Sequence, residues 1–302
     1  MLGCLYGQAI GNALGLQSEF MSRDEVASHY APLLRYYNQD YSNGYGVWED
    51  DDTKQMLCIL DEFVNSKTIS ASGVASNLLN WLETDGRGCG NLVYQVLTHR
   101  VYVENPITAA HDRWELSHRE SAPNGALMRT SVVGLWPKDV DKNAIVACRV
   151  THYDSRCVGS CVIASEIIYN LVWKARCLSF QDIVSIGQQY DARIEEWIRL
   201  AYESENISAL NLDSASGMGY TLRTLASALW CYWHAESFES GLLAVVNEGG
   251  DADTNGAIAC AILGAKYGFD AIPRYYIENL HNEAEYRQKV NNFIELALNE
   301  EE

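Results

Sequence analysis

Two short stretches of this 302-residue chain concentrate oxygen ligands at helix starts. They are Trp48-Glu49-Asp50-Asp51-Asp52-Thr53 and Gly249-Gly250-Asp251-Ala252-Asp253-Thr254-Asn255. N-capping and the helix dipole are a sufficient reason for one acid at each place. They do not explain three consecutive aspartates, or an Asp-x-Asp-Thr after two glycines. Carboxylates this dense repel one another unless a cation neutralises them. Oxygen donors with no interleaved His or Cys select hard ions such as Mg²⁺, Mn²⁺ or Ca²⁺ over zinc. The EF-hand spacing is absent, because no bidentate Glu follows at the required offset. A solvated acidic face is the plain alternative to a metal site.

The elements that must position these acids read as helices. Apolar residues recur at three- and four-residue spacing over 3–16, 53–65, 72–83, 158–174, 181–203, 219–234, 238–247, 254–267 and 284–299. In 53–65, for example, Met56, Leu57, Leu60, Phe63 and Val64 form one stripe. Strict alternation is nearly absent, and no linker or repeat divides the chain. The expectation is one all-α domain over residues 1–302, with the chemistry in its loops. Gly3, Gly7, Gly11 and Gly15 fall at every fourth position of the first helix, and Gly256, Cys260, Gly264 and Gly268 follow the same spacing late in the chain. A helix glycine costs about 1 kcal/mol relative to alanine, so this ridge predicts a close backbone approach that compensates.

Composition excludes several classes. With 22 Lys+Arg against 40 Asp+Glu, the formal charge of −18 opposes binding to nucleic acid or to anionic lipid. Hydrophobic residues make up 48% of the chain, enough for a sizeable core. The start, Met1-Leu2-Gly3-Cys4, lacks a signal-peptide pattern, and no apolar run approaches a membrane span. Nine cysteines without a CxxC read as reduced, core-packed thiols of a cytoplasmic protein. Cys157 and Cys161 share a helix face but make a poor zinc site without a nearby His.

Six ordered blocks carry a family resemblance. They are Gly7–Phe20 (GQAIGNALGLQSEF), Trp48–Met56 (WEDDDTKQM), Asp85–Gly90 (DGRGCG), Asn124–Arg129 (NGALMR), Thr151–Asp154 (THYD) and Gly249–Gly268, which ends in LGAKYG. Together they resemble the ADP-ribosylglycohydrolase family, from the first residues to about Pro273. The resemblance implies a compact orthogonal helical bundle with a binuclear Mg²⁺ or Mn²⁺ cleft. Its ligands would be Asp50, Asp51, Asp52, Asp251, Asp253 and Thr254. The implied reaction removes ADP-ribose from a modified protein side chain, arginine in the nitrogenase-related branch. Glu19 is the implied proton-transfer residue, acting with Asp51 and Asp253.

The resemblance also implies a ligand surface. Gly86, Gly88 and Gly90, with Asn124 and Gly125, would bind the pyrophosphate through backbone N–H groups. His152, read as opening a helix, would face the phosphate or ribose. Asp85 and Tyr220 would stand at the cleft mouth for arginine recognition. Arg129 reads as structural, paired with a buried acid. Asp50 stands where a Thr or Ser is usual, and Asn12 where Asp is common; the latter is expected to alter hydrogen bonding behind the ligands. The segments 20–47 and 91–122 are expected to shape the rim, with Tyr30, Tyr36, Tyr37, Tyr41 and Tyr45 as a recognition surface or as packed tyrosines. The implied partners are an ADP-ribosylated protein and an ADP-ribosyltransferase toxin countered by an immunity protein. Hydrolysis of another ADP-ribosyl linkage, and an ADP-ribose-binding or transferase-occluding protein without turnover, are the competing readings.

Overall fold

The computed structural model describes residues 1–38 and 47–301. Among them are fifteen α-helices and no β-strand. The first seven are α1 (Leu2–Gly15), α2 (Arg23–His29), α3 (Asp51–Ser66), α4 (Ala71–Thr84), α5 (Asn91–Leu97), α6 (Pro106–Leu116) and α7 (Val140–Arg149). The rest are α8 (Ser155–Trp173), α9 (Phe180–Gln188), α10 (Arg193–Glu203), α11 (Thr221–His234), α12 (Phe238–Val246), α13 (Ala252–Tyr267), α14 (Arg274–Glu278) and α15 (Glu283–Asn299). A lone antiparallel bridge joins Pro123 to Tyr220.

The glycine ridge sets the centre of the molecule. A Cβ on Gly3, Gly7, Gly11 or Gly15 would sit 2.3, 2.0, 2.1 or 2.3 Å from the carbonyl oxygens of Gly264, Cys260, Gly256 and Ala252 respectively. The partners run in reverse order, so α1 and α13 lie antiparallel, backbone against backbone. Every residue of α13 from Ala252 to Gly264 is buried, and α8, α11 and α12 also pack on it. A helix enclosed on all sides has no need of a polar face, which is why its sequence from Gly256 to Ala265 carries no polar or charged side chain other than the Cys260 thiol. The antiparallel pairing brings the start of α13 to the end of α1, where Glu19 follows.

Two expectations about helices need correction. The single helix expected over 181–203 is two, α9 and α10. Asp191 lies at the break, where its carboxylate accepts from the Arg193 backbone and guanidinium and from Ser155 Oγ. That local turn competes with helical hydrogen bonding, as Asp commonly does. Five helices, α2, α5, α6, α7 and α14, lie in stretches without an assigned stripe. They are short or bury few residues: α2 buries only Val26, yet Ser22 and Glu25 form a reciprocal capping box that starts it.

Among the tyrosines of 20–47, Tyr37 is buried and stacked on Tyr275, Tyr30 donates to the Gln17 carbonyl, and Tyr36 is exposed. Tyr41 and Tyr45 lie outside the described residues. All nine cysteines are free thiols. No described helix is long and apolar enough to cross a membrane.

Candidate metal centre and active-site cleft

Both acidic helices begin two residues earlier than their apolar stripes suggest. Asp51 and Asp52 therefore occupy the first turn of α3, and Asp253 the first turn of α13, while Asp50 and Asp251 hold the cap positions. Neither Asp50 nor Asp251 makes a side-chain cap hydrogen bond. Capping thus accounts for neither residue, and both carboxylates are left for other work. Oxygens of Asp50, Asp51 and Asp52 lie within 4.8 Å of one another, and those of Glu19, Asp251 and Asp253 do the same.

Neutral amides hold these carboxylates in place. Asn12 Nδ2 donates to Asp52 Oδ2 at 3.5 Å, and Asn12 Oδ1 accepts from Thr53 Oγ1 at 2.8 Å. An aspartate at position 12 could not donate to Asp52, so this departure from the family pattern matches its surroundings. Asn124 Nδ2 donates to Asp251 Oδ2 at 2.7 Å, and Gln55 Nε2 to Asp51 Oδ2 at 3.2 Å. Glu49, just before the triplet, accepts from His281 Nδ1 and Asn282 Nδ2, which ties the acidic turn to the start of α15.

Behind Gln55 runs a buried chain. Arg129 Nη1 donates to Gln55 Oε1 at 2.7 Å, and its Nη2 to Thr151 Oγ1 at 2.6 Å and to the Ala147 carbonyl at 3.0 Å. These partners are neutral, which corrects the expectation of a buried acid beside Arg129. Thr151 Oγ1 also lies 2.8 Å from His152 Nδ1. Because Thr151 accepts from Arg129, its own proton is free for Nδ1. This arrangement is compatible with a neutral His152 carrying its proton on Nε2. Burial, then the Arg129 charge, holds the His152 pKa well below its ordinary value, in agreement with the neutral form. His152 Nε2 is buried with no hydrogen-bond partner among the described residues. The residue lies between α7 and α8 rather than opening a helix, and Asp154 caps α8 instead.

Glycines let the loops close on the acids. Gly249 and Gly250 take φ of 69° and 68°, and a Cβ on either would strike the carbonyl oxygen of Met21 or Leu212 at 2.2 or 2.1 Å. Two backbone bonds, Phe20 N to Gly250 O at 2.7 Å and Gly250 N to Met21 O at 2.8 Å, tie the Glu19 loop to the Gly249–Asn255 turn. Gly88, at φ 74°, faces the first trio; a Cβ there would lie 2.5 Å from Asp50 Oδ1 and 2.8 Å from Asp51 Oδ1.

Electrostatics show what the trios lack. Burial, then the neighbouring carboxylates, raises Asp51 and Asp253 well above the ordinary range, and Asp52 likewise. Burial raises Asp50 as well. Glu19 is pushed up to about 7 by burial, then by Asp251 and Asp50. Asp52 Oδ1 and Asp253 Oδ1 are buried with no hydrogen-bond donor among the described residues. Repelling, undonated carboxylate oxygens on two helix starts suit a hard divalent cation.

The trios open onto a cleft of about 300 Å³. Of the residues singled out above, Glu19, Asp51, Asp251, Asp253, Thr254, Gly88, Gly90, Asn124, Gly125 and His152 line it. Asp50, Asp52, Asp85, Gly86 and Tyr220 are not on the wall. Asp85 instead lies 3.9 Å from Lys54 Nζ, and Tyr220 Oη accepts from Arg156 at 3.4 Å. Phe20, Met218 and Gly219 are wall residues that the sequence reading did not single out. Gly219 had a visible signal, a Gly-x-Gly-Tyr before a helical stripe; its Cβ position lies 3.3 Å from Asp251 Oδ2.

Comparison with known proteins gives the family and the fold. A family model described as ADP-ribosylglycohydrolase matches residues 1–302, beyond the Pro273 limit read from the motifs. The chain is 26% identical over 302 residues to the ADP-ribosyl-[dinitrogen reductase] glycohydrolase of Rhodospirillum rubrum, covering 98% of this chain and 96% of that protein. It is 23% identical over 288 residues to the ADP-ribosylarginine hydrolase Tri1 of Serratia proteamaculans, covering 92% and 74%. Its fold matches a solved ADP-ribosylglycohydrolase-related protein complex with a TM-score of 0.78 at 24% identity, over 98% of this chain and 97% of that one. Since the family pattern spans the full described sequence and the fold is shared, this chain belongs to the ADP-ribosylglycohydrolase family.

Proposed function

We propose that this chain, acting as one catalytic domain, hydrolyses the bond joining ADP-ribose to a modified arginine side chain, with a pair of Mg²⁺ or Mn²⁺ ions as cofactor. The observation that carries the reading is the meeting at one cleft of two acidic trios, each holding a buried, undonated carboxylate oxygen on Asp52 or Asp253, beside the buried His152 Nε2. Asp50, Asp51, Asp52, Asp251, Asp253 and Thr254 are the residues that would hold the ions. When bound, such a pair polarises ribose hydroxyls and activates water.

The chain's own groups supply the rest. Glu19, with a pKa near neutrality in the cation-free protein, can hold a proton at its carboxylate and exchange it with water or the departing nitrogen. This suits an oxocarbenium-like transition state with a poor leaving group. His152 Nε2–H and the backbone N–H groups of Gly88, Gly90 and Gly125 would be donors for ribose and phosphate oxygens, which matters in a cleft whose described wall has no Lys or Arg; the Asn124 N–H is already given to the Gly219 carbonyl. Asp85 and Tyr220, outside the wall, are assigned to the protein part of the substrate. The arginine linkage is supported by the activity named for the Serratia relative. In the cell the reaction would take place in the cytoplasm and reverse a regulatory modification or one made by an ADP-ribosylating toxin.

The test is release of ADP-ribose from an arginine-modified protein with Mg²⁺ or Mn²⁺, and its loss on chelation. A protein that binds ADP-ribose yet releases none with either ion would instead be a reader or an occluding partner.

A further inference from the structure

The cleft rim carries one residue that neither packing nor turn geometry explains. Phe20 is 70% exposed and sits at φ 61°, a left-handed conformation that a phenylalanine rarely takes. Glycine or asparagine would occupy it with less strain, and an exposed ring recovers little by burial. The position is nonetheless rigidly fixed, because the Phe20 N–H donates to the Gly250 carbonyl and the next residue accepts from Gly250 N–H. The ring lines the cleft directly after Glu19 and is the only Phe, Tyr or Trp on the wall among the described residues. Around it the wall carries carboxylates and no Lys or Arg.

We propose that Phe20 is a specificity-determining residue whose ring stacks on the guanidinium through which ADP-ribose is attached to arginine. The inference rests on the arginine-linked reading above and deepens it. A delocalised planar cation is the group best matched to an aromatic face. The bond to be broken lies within reach of Glu19, so the leaving side chain passes the adjacent residue on its way out of the cleft. Asp85, expected from the motifs to recognise arginine, is not on this wall; Phe20 is.

The experiment compares Phe20→Leu and Phe20→Tyr with the unaltered chain. Both replacements meet the same backbone demand, so their difference isolates the aromatic face. With Mg²⁺ present, Phe20→Leu should raise KM for ADP-ribosyl-arginine about 3- to 30-fold, the range expected of one stacked cation. Phe20→Tyr should stay within about 2-fold of the unaltered chain, and ADP-ribose itself should bind all three alike. The inference is overturned if Phe20→Leu leaves that KM unchanged, if the tyrosine variant loses as much as the leucine variant, or if ADP-ribose binding weakens in parallel. Absence of turnover by the unaltered chain would sink the arginine reading and this inference together. A working enzyme indifferent to the ring sinks only this one.

Discussion

Arg129 illustrates how a single residue can be structural and yet reach the cleft. Its guanidinium is fully buried, and its neutral acceptors link Gln55, which donates to Asp51, with Thr151, whose hydroxyl meets His152 Nδ1. One cation thereby reaches two wall residues, the Asp51 carboxylate through Gln55 and the His152 ring through Thr151. At the same scale, Asp253 is a buried carboxylate with an undonated oxygen. Asp253→Asn keeps the shape and removes the charge. Turnover should fall at least about 100-fold, by analogy with loss of other electrostatic groups in buried sites. Melted in chelator, the same variant should be more stable than the parent, because a repelling buried charge has gone. Unchanged turnover would remove Asp253 from the catalytic set.

Among the elements, the α1–α13 pair is the most sensitive. A Cβ at Gly11 would lie 2.1 Å from the Gly256 oxygen and 2.4 Å from its carbonyl carbon, both backbone atoms that cannot swing away. Gly11→Ala should therefore cost about 3 kcal/mol or more, at or beyond the upper end of ordinary overpacking. Urea denaturation measures it. Gly90→Ala is the control, since nothing lies within 4 Å of its added Cβ; comparable losses for both would show that the close approach is not the cause. Legibility also divides at this scale. Long helices with strong stripes, such as α3, α8 and α15, were readable within a few residues of their ends. The five unassigned helices were not, because a helix of seven residues with one buried side chain, like α2, leaves its signal in the cap. The break at Asp191 was invisible for the opposite reason: the apolar stripe continues across it.

For the whole molecule, the acidic balance acquires a location and a pH dependence. Six of its acids, Glu19, Asp50, Asp51, Asp52, Asp251 and Asp253, surround one cleft. Others are compensated at the surface, as where Glu300 bridges Lys67 and Lys138. A carboxyl whose folded pKa is raised binds its proton more tightly folded than unfolded. Its contribution to stability is complete below the unfolded pKa and lost as pH rises through the folded value. For Glu19 that window runs from 4.5 to about 7, and Asp51, Asp52 and Asp253 shift in the same direction. The chelated protein should therefore melt at a lower temperature at pH 7.5 than at pH 5. Added Mg²⁺ or Mn²⁺ should recover most of the difference by binding the folded state. Glu166, also raised to about 7 but by its own burial and by Asp141, lies outside the cleft, so the cation-sensitive part of the curve reports the acidic trios. A pH profile unmoved by either ion would place the destabilising charge elsewhere.

What the sequence by itself determined was local or compositional: an all-helical pattern, a glycine ridge, a dense set of hard oxygen donors and the family to which their order belongs. These are legible because periodicity, donor chemistry and motif order need no knowledge of distant neighbours. Only the tertiary structure decided which acids share a trio, that the two capping aspartates do not cap, which nitrogen of His152 meets Thr151, and that Phe20 rather than Asp85 stands on the cleft wall. Each of those depends on contacts between segments far apart in the chain, above all the backbone approach of Gly15 to Ala252 and of Gly249 to Met21. Local propensity cannot express that kind of closeness, because it arises from the packing of two helices and not from the preferences of either.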